Sequence, residues 1–314
     1  MMKSVPLGNT GESVSTLCLG AMYFGTRQNR KESFNLLDQY FESGGTFIDT
    51  ANIYAHWIDG FKGGESEAVL GQWLKERNNR DQVFIASKVG FGYQDVPSTL
   101  QAEMIEKECE KSLRRLGVDK IDLYYAHRDD RDTPLEETLE AFLRLVDSGK
   151  VRFIGASNYL AWRLEEAHWL SITNEWPEFC CVQQRHTYIR RKHGTTFNPQ
   201  VAANEDLLDY VSNRGITLLA YSALLSGAYT RSDRDFSDQY LSSDTDNRLS
   251  ALNEVAAETG ATANQVILAW MMQSIPAVVP LIAASSSEQL KENIDALNLF
   301  LTADQLEKLD SAGP

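Results

Sequence analysis

A single closed (β/α)8 barrel of the α/β class, with a β-hairpin ahead of it, is the fold this sequence predicts. Three observations carry the prediction. Short β-branched or aromatic runs alternate with longer segments of helical period along the chain. Eight such runs can be counted, each followed by a helical segment, which is the pattern of a parallel barrel with helices outside. No Gly-x-Gly-x-x-Gly turn follows any early run, which disfavours an open doubly wound sheet. At 314 residues the chain is long for one core yet ordinary for a barrel. No linker, low-complexity tract or second repeat period divides it, so residues 1–314 read as one domain.

Taken in order, residues 4–7 and 13–17 flank Asn9-Thr10-Gly11 and read as the hairpin. The barrel runs are residues 17–21, 46–49, 83–88, 121–127, 151–157, 179–183, 216–221 and 277–282. Between them, Phe34, Leu37 and Phe41 in the first helix, and Leu100, Met104, Leu113 and Leu116 in the third, fall on helical stripes. Capping boxes at Ser98-Thr99-Leu100-Gln101, Thr133-Pro134-Leu135-Glu136, Ser286-Ser287-Glu288-Gln289 and Thr302-Ala303-Asp304-Gln305 mark helix starts. Gly44, Gly117, Gly149, Gly215 and Gly260 sit where helices stop.

Composition is that of an ordinary globular enzyme, 43% hydrophobic and 24% charged, and no apolar run is long enough to cross a bilayer. Acidic residues outnumber basic ones 44 to 30, a formal charge of -14, and no Lys/Arg cluster is interleaved with aromatics. Nucleic acid is therefore not an expected partner. The opening Met1-Met2-Lys3-Ser4-Val5-Pro6 lacks the apolar core and cleavage site of an export signal, which predicts a cytoplasmic protein. Cys18 and Cys109 stand alone, while the adjacent Cys180 and Cys181 would face opposite sides of a strand. Free thiols are expected rather than a disulfide frame or a metal site.

Chemistry in such a barrel sits at the carboxyl ends of the strands. The second run ends in Asp49, the third in Lys88 and the fourth in His127, and Tyr54 lies in the loop above that quadrant of the mouth. Singly, each has a structural explanation: a turn cap, a snorkelling lysine, a hydrogen-bonded core histidine, a packed tyrosine. Together they resist it. A lysine closing the apolar run Val83-Phe84-Ile85-Ala86-Ser87 is costly unless a carboxylate such as Asp49 pairs with it. An ammonium beside a phenol stabilises phenolate, so Lys88 is expected to lower the Tyr54 pKa and make Tyr54 the general acid or base. Asp49 would orient Lys88, and His127 would steer the substrate oxygen. None of these steps calls on a metal.

The run Phe47-Ile48-Asp49-Thr50-Ala51-Asn52-Ile53-Tyr54 is followed by Gly64-Glu65-Ser66-Glu67, Leu70-Gly71, Ser87-Lys88 and Asp122-Leu123-Tyr124 leading to His127. Then come Gly149-Lys150-Val151-Arg152-Phe153-Ile154-Gly155-Ala156-Ser157-Asn158, Gln183, Ala220-Tyr221-Ser222 and Glu292-Asn293. In that order, over roughly residues 7–309, the chain resembles the aldo-keto reductase superfamily. The resemblance implies an oxidoreductase moving hydride between NAD or NADP and a carbonyl or alcohol carbon, with Tyr54, Asp49, Lys88 and His127 as its tetrad. It implies that Ser157, Asn158 and Gln183 hold the nicotinamide carboxamide and that Tyr221 stacks on the ring. Ser222, Leu224, Ser226 and Gly227 would lie along the pyrophosphate, Asn293 near the adenine, and Gly20, Ala21 and Met22 also against the cofactor.

Family members that prefer the phosphorylated cofactor commonly offer Lys or Arg after the eighth strand, where this chain has Ala283, Ser285 and Gln289. NAD is therefore expected to serve at least as well as NADP, with Lys291 the one residue placed to rescue phosphate binding. Tyr23, Phe24, Trp57 and Phe91 are expected to form an aromatic substrate wall, beside two long mouth loops at residues 56–62 and 185–199. The expected substrate is a small carbonyl compound or sugar, with oxidation of an aldose as one direction. Two rival readings remain: a nicotinamide-binding, redox-sensing regulatory subunit with little turnover, and a lyase or isomerase using Lys88 as a Schiff-base amine. The oligomeric state is left open.

Overall fold

A computed structural model describes residues 2–313. Eight parallel strands close into a barrel: β3 (Cys18–Gly20), β4 (Phe47–Asp49), β5 (Phe84–Val89), β6 (Ile121–Ala126), β7 (Val151–Ser157), β8 (Phe179–Arg185), β9 (Thr217–Tyr221) and β10 (Val278–Ile282), with β10 returning to β3. The hairpin of β1 (Ser4–Pro6) and β2 (Ser13–Ser15) pairs antiparallel, Val5 opposite Val14. Helices α1 (Arg30–Glu42), α2 (Glu65–Arg77), α3 (Ala102–Leu116), α4 (Leu135–Asp147), α5 (Ala161–Asn174) and α6 (Glu205–Arg214) follow the earlier strands. After β9 come two helices rather than one, α7 (Ser243–Thr259) and α8 (Ala263–Gln273). Left-handed Gly260 stops the first, and a capping box of Thr262 with Gln265 starts the second. The chain then runs through α9 (Ser287–Asp295) to α10 (Ala303–Ser311). Among the described residues no helix is long and apolar enough to cross a membrane.

Successive side chains of a strand point to opposite faces, and that alternation sorts the core. Phe47, Ala86, Leu123, Tyr125 and Leu219 fill the barrel interior, together with Leu7 and Val14 at the hairpin end. Their neighbours Ile48, Ile85, Tyr124 and Leu218 face the helices instead. The interior is tightly filled at the level of Gly155, where an added Cβ would lie 2.8 Å from the Tyr125 ring and 2.9 Å from Cys181 Sγ.

The adjacent cysteines do not take opposite faces. Between β7 and β8 the register slips, because Ile154 pairs with Phe179 but Ala156 pairs with Val182, so β8 carries one extra residue. This bulge turns both Cys180 and Cys181 into the interior cluster, with their sulfurs 3.9 Å apart. All four cysteines are free thiols and buried.

Three of the four expected capping boxes do not form, the first two for a shared reason. The buried Asp130 carboxylate accepts from Leu100 N (2.8 Å), Thr99 Oγ1 (2.9 Å) and Thr133 Oγ1 (2.7 Å), so the Thr133 hydroxyl that would cap α4 is committed to it and the Ser98 segment becomes a tether ahead of α3. A carboxylate is the stronger acceptor in this competition. The Thr302 box forms in full. Ser286 caps α9, but the Gln289 side chain turns to Ser285 instead of closing the box.

Burial alone would raise the Asp130 carboxyl, but the bonds it accepts outweigh burial and hold it below its ordinary 3.8. Its stabilising effect is therefore complete above that pH and is lost as pH falls through the lowered folded value. Asp130→Ala strands the Leu100 N–H and should cost about 2–3 kcal/mol at neutral pH. Urea denaturation of both proteins checks this, and the gap between them should narrow in acid below pH 3.8.

Candidate active site

Five polar residues stand at the carboxyl end of the barrel by parity. Asp49, Lys88, His127, Gln183 and Tyr221 each follow by two residues an inward-facing core residue: Phe47, Ala86, Tyr125, Cys181 and Leu219. The two-residue step turns each of them inward, one level higher, at the mouth.

Lys88 and Asp49 are both fully buried and form an ion pair. Lys88 Nζ donates to Asp49 Oδ1, to the Thr50 carbonyl (2.8 Å) and to Tyr54 Oη (2.7 Å), which commits all three ammonium protons. Asp49 Oδ2 accepts from Gln183 Nε2 at 2.8 Å. Tyr54 Oη donates to Asp49 Oδ1 across 3.3 Å, longer than an ordinary O–H···O bond.

Burial pulls the Lys88 ammonium down from its ordinary value, against the Asp49 carboxylate, which raises it. Burial and then the Asp49 charge push the Tyr54 phenol well above 10.0, opposite to the direction expected from the sequence. The reason is first that the phenol is buried, which disfavours phenolate, and second that the Asp49 carboxylate faces the same oxygen as Lys88 and opposes it. His127 is held well below 6.5 by burial and then by the Lys88 charge, so its imidazole is neutral at neutral pH. Its Nδ1 is buried without a hydrogen-bond partner, and Tyr54 and Phe91 pack edge-on at 6.0 and 4.8 Å.

These groups open onto a cavity of about 590 Å³. Of the residues singled out from sequence, Gly20, Met22, Asp49, Tyr54, Trp57, Phe91, His127, Ser157, Asn158, Gln183, Tyr221, Ser222 and Ala283 line it. The rest stand elsewhere. Phe24 is buried in the core, and Tyr23 carries the Arg27 guanidinium 4.2 Å above its ring, so neither forms a substrate wall here. Ala21 is buried, its N–H donating to the Asp49 carbonyl at 2.8 Å. Leu224, Ser226 and Gly227 make the turn beyond Ser222. Ser285 and Gln289 bond each other, Asn293 Nδ2 donates to the Ala283 carbonyl at 3.2 Å, and Lys291 is held by Asp295 at 2.5 Å. Besides Leu281 and Ile282 of β10, the sequence reading missed Ile53, His56, Phe197, Asn198, Pro199 and Gln200 on the cavity wall. The length of the loops after Tyr54 and after β8 was their only signal.

The residues present fit a nicotinamide. Asn158 Nδ2 donates to the His127 carbonyl (2.9 Å) and its Oδ1 accepts from Tyr221 Oη (2.7 Å) and Val201 N (3.0 Å), while Ser157 Oγ donates to the Gln183 carbonyl (2.8 Å). Amide and hydroxyl groups next to an aromatic ring at the cavity suit a flat ring bearing a carboxamide. Asn158, Ser222, Leu225 and Ser226 all take left-handed backbone, with φ of 60°, 57°, 46° and 58°. Non-glycine residues hold such angles at a cost, and clusters of them belong to binding sites. Ser222, on the cavity wall, opens a turn that carries three of these angles.

A family model described as the Aldo/keto reductase family matches residues 16–314. Norsolorinic acid reductase of Aspergillus flavus is 31% identical over 98% of this chain and 79% of its own length. The Uncharacterized oxidoreductase YrpG of Bacillus subtilis is 31% identical over 100% of this chain and 96% of its own. Aldo-keto reductase str7 of Strobilurus tenacellus is 30% identical over 96% and 90%. With the closed barrel beneath them, these likenesses support a nicotinamide-dependent oxidoreductase, and the chain belongs to the aldo/keto reductase family.

Proposed function

We propose that the protein is a carbonyl reductase in which Tyr54 is the general acid. The observation that carries this reading is the Lys88 ammonium, with all three protons committed and one of them directed at the Tyr54 oxygen at the floor of the cavity. When bound, the reduced nicotinamide supplies the hydride to the carbonyl carbon. Tyr54 gives its proton to the carbonyl oxygen and becomes phenolate. The Lys88 ammonium, 2.7 Å away, then stabilises the new negative charge. His127, neutral, donates an N–H toward the same oxygen and keeps it near Tyr54. Ser157, Asn158, Gln183 and Tyr221 would hold the cofactor ring, and Phe91 and Trp57 would keep water from the reacting carbon.

With its phenol raised, Tyr54 is protonated through neutral pH, the form that the reductive direction uses, and the Lys88 ammonium must offset the weaker acidity as the proton leaves. Trp57, Phe91 and Phe197 offer aromatic faces beside the amides of Asn198 and Gln200, which suits a ring-bearing carbonyl compound with polar substituents, sugars included. The names of the relatives norsolorinic acid reductase and versiconal hemiacetal acetate reductase support reduction as the reaction. Lys88 is a poor Schiff-base amine, because its protons are engaged and the carboxylate holds them.

Tyr54→Phe should lower kcat for aldehyde reduction about 10²–10⁴-fold, with cofactor affinity nearly unchanged. In the wild type the reduction rate should be level from mildly acidic to mildly alkaline pH, with no break near 6.5, because His127 does not ionise there. Alcohol oxidation should climb with pH as phenolate becomes available. Full turnover in Tyr54→Phe would overturn the reading, and negligible wild-type turnover at saturating cofactor would favour the regulatory-subunit alternative.

On the cofactor, Ala283 and the mutually bonded Ser285 and Gln289 offer no charge to a 2′-phosphate, and Lys291 is paired with Asp295. NADH should therefore bind at least as tightly as NADPH when titrated by tryptophan quenching. A tenfold preference for NADPH would contradict this.

A further inference from the structure

Outside the barrel, a second cavity of about 390 Å³ lies between the segment after β8, α6, α7, α8 and α10. Four arginines, Arg185, Arg190, Arg191 and Arg248, line it against two carboxylates, Glu205 and Asp310. In a chain of net charge -14 such a concentration of guanidinium groups is the exception.

Among the described residues, three of these four cations have no carboxylate in contact. Arg248 is 2% exposed, yet its two hydrogen-bond partners are neutral carbonyls: Nε donates to Tyr188 O at 2.9 Å and Nη1 to Ala312 O at 2.7 Å. Arg185 donates to Tyr240 Oη (3.0 Å) and Gln200 Oε1 (2.8 Å), and Arg191 to the Thr195 carbonyl, all neutral too. Among the described residues, only Arg190 has a carboxylate within 4.0 Å, Asp244 at 3.7 Å. Asp310 already accepts from Trp270 Nε1 at 2.7 Å. Asp244 and Asp310 act on Arg248 from a distance, and burial still outweighs them; a buried guanidinium with no carboxylate in contact is disfavoured, so one that faces a cavity favours an anion there. The volume exceeds what a bare oxyanion fills, and Trp270 supplies a flat wall for the remainder of a ligand.

We propose that this cavity is a binding site, separate from the catalytic one, for a small molecule carrying an oxyanion, either a phosphate monoester or a carboxylate. Arg248 meets the anion from inside and Arg190 and Arg191 from the rim. Arg185 stands between the two sites, because Gln200, to which it donates, also lines the catalytic cavity.

Calorimetric titration of the full chain, at constant ionic strength set with sodium chloride and with saturating NADP+ present, tests the proposal using inorganic phosphate, phenyl phosphate and benzoate. One saturable site is expected, at least tenfold tighter for phenyl phosphate or benzoate than for inorganic phosphate, and the better of the two identifies the head group. Arg190→Ala/Arg191→Ala should weaken binding at least fivefold with aldehyde turnover within twofold of wild type, and Arg248→Met should weaken it at least tenfold. If Arg248→Met does not fold, the double variant decides. The proposal fails if no probe saturates. It fails equally if NADP+ displaces the probe, or if the double variant binds as tightly as wild type.

Discussion

Lys88 and Asp49 face each other with side chains 0% and 1% exposed, so both ions have given up water and depend on each other. Removing one partner of such a pair typically costs about 3–5 kcal/mol, because the other is left charged and buried. Replacing both by apolar residues would often be neutral, so a pair of this kind is a poor device for stability alone. What the geometry adds is specificity. Lys88 reaches the Thr50 carbonyl and Tyr54 as well as Asp49, and Asp49 reaches Gln183, so one ion pair fixes groups from β4, β5, β8 and the loop after β4 relative to one another.

The same pair sets the electrostatics of its neighbours. Burial raises the Tyr54 phenol and lowers the His127 imidazole, and the pair reinforces both shifts: the Asp49 charge raises the phenol further and the Lys88 charge lowers the imidazole further. A site built this way holds a proton in readiness and meets the charge that appears when the proton leaves, which is what preorganised electrostatic catalysis requires.

How much of this could be read in the sequence follows from what kind of rule each feature obeys. The barrel was legible because strand and helix periodicities are local, and the Asp49, Lys88 and His127 positions because the carboxyl end of a strand is marked in the chain. The Cys180–Cys181 bulge was not legible, since an extra residue in β8 shows only when β7 is laid beside it. Nor was Asp130, whose capture of Thr99 and Thr133 depends on two loops meeting in space. The direction of the Tyr54 shift is set first by burial of the phenol and then by the facing Asp49 charge, neither of which spacing along the chain contains. Phe24 and Trp57 illustrate the same limit: both are aromatic residues near the mouth, yet one is in the core and the other is 48% exposed at the cavity.

The central claim is that the Lys88 ammonium serves the chemistry at Tyr54 and not merely the packing beneath it. Steady-state aldehyde reduction by Lys88→Met, with circular dichroism and cofactor affinity followed on the same samples at low temperature, tests it most directly. The account predicts a folded protein whose cofactor affinity stays within a few-fold of wild type while kcat falls about a hundredfold or more. Turnover close to wild type in a folded Lys88→Met protein would contradict it.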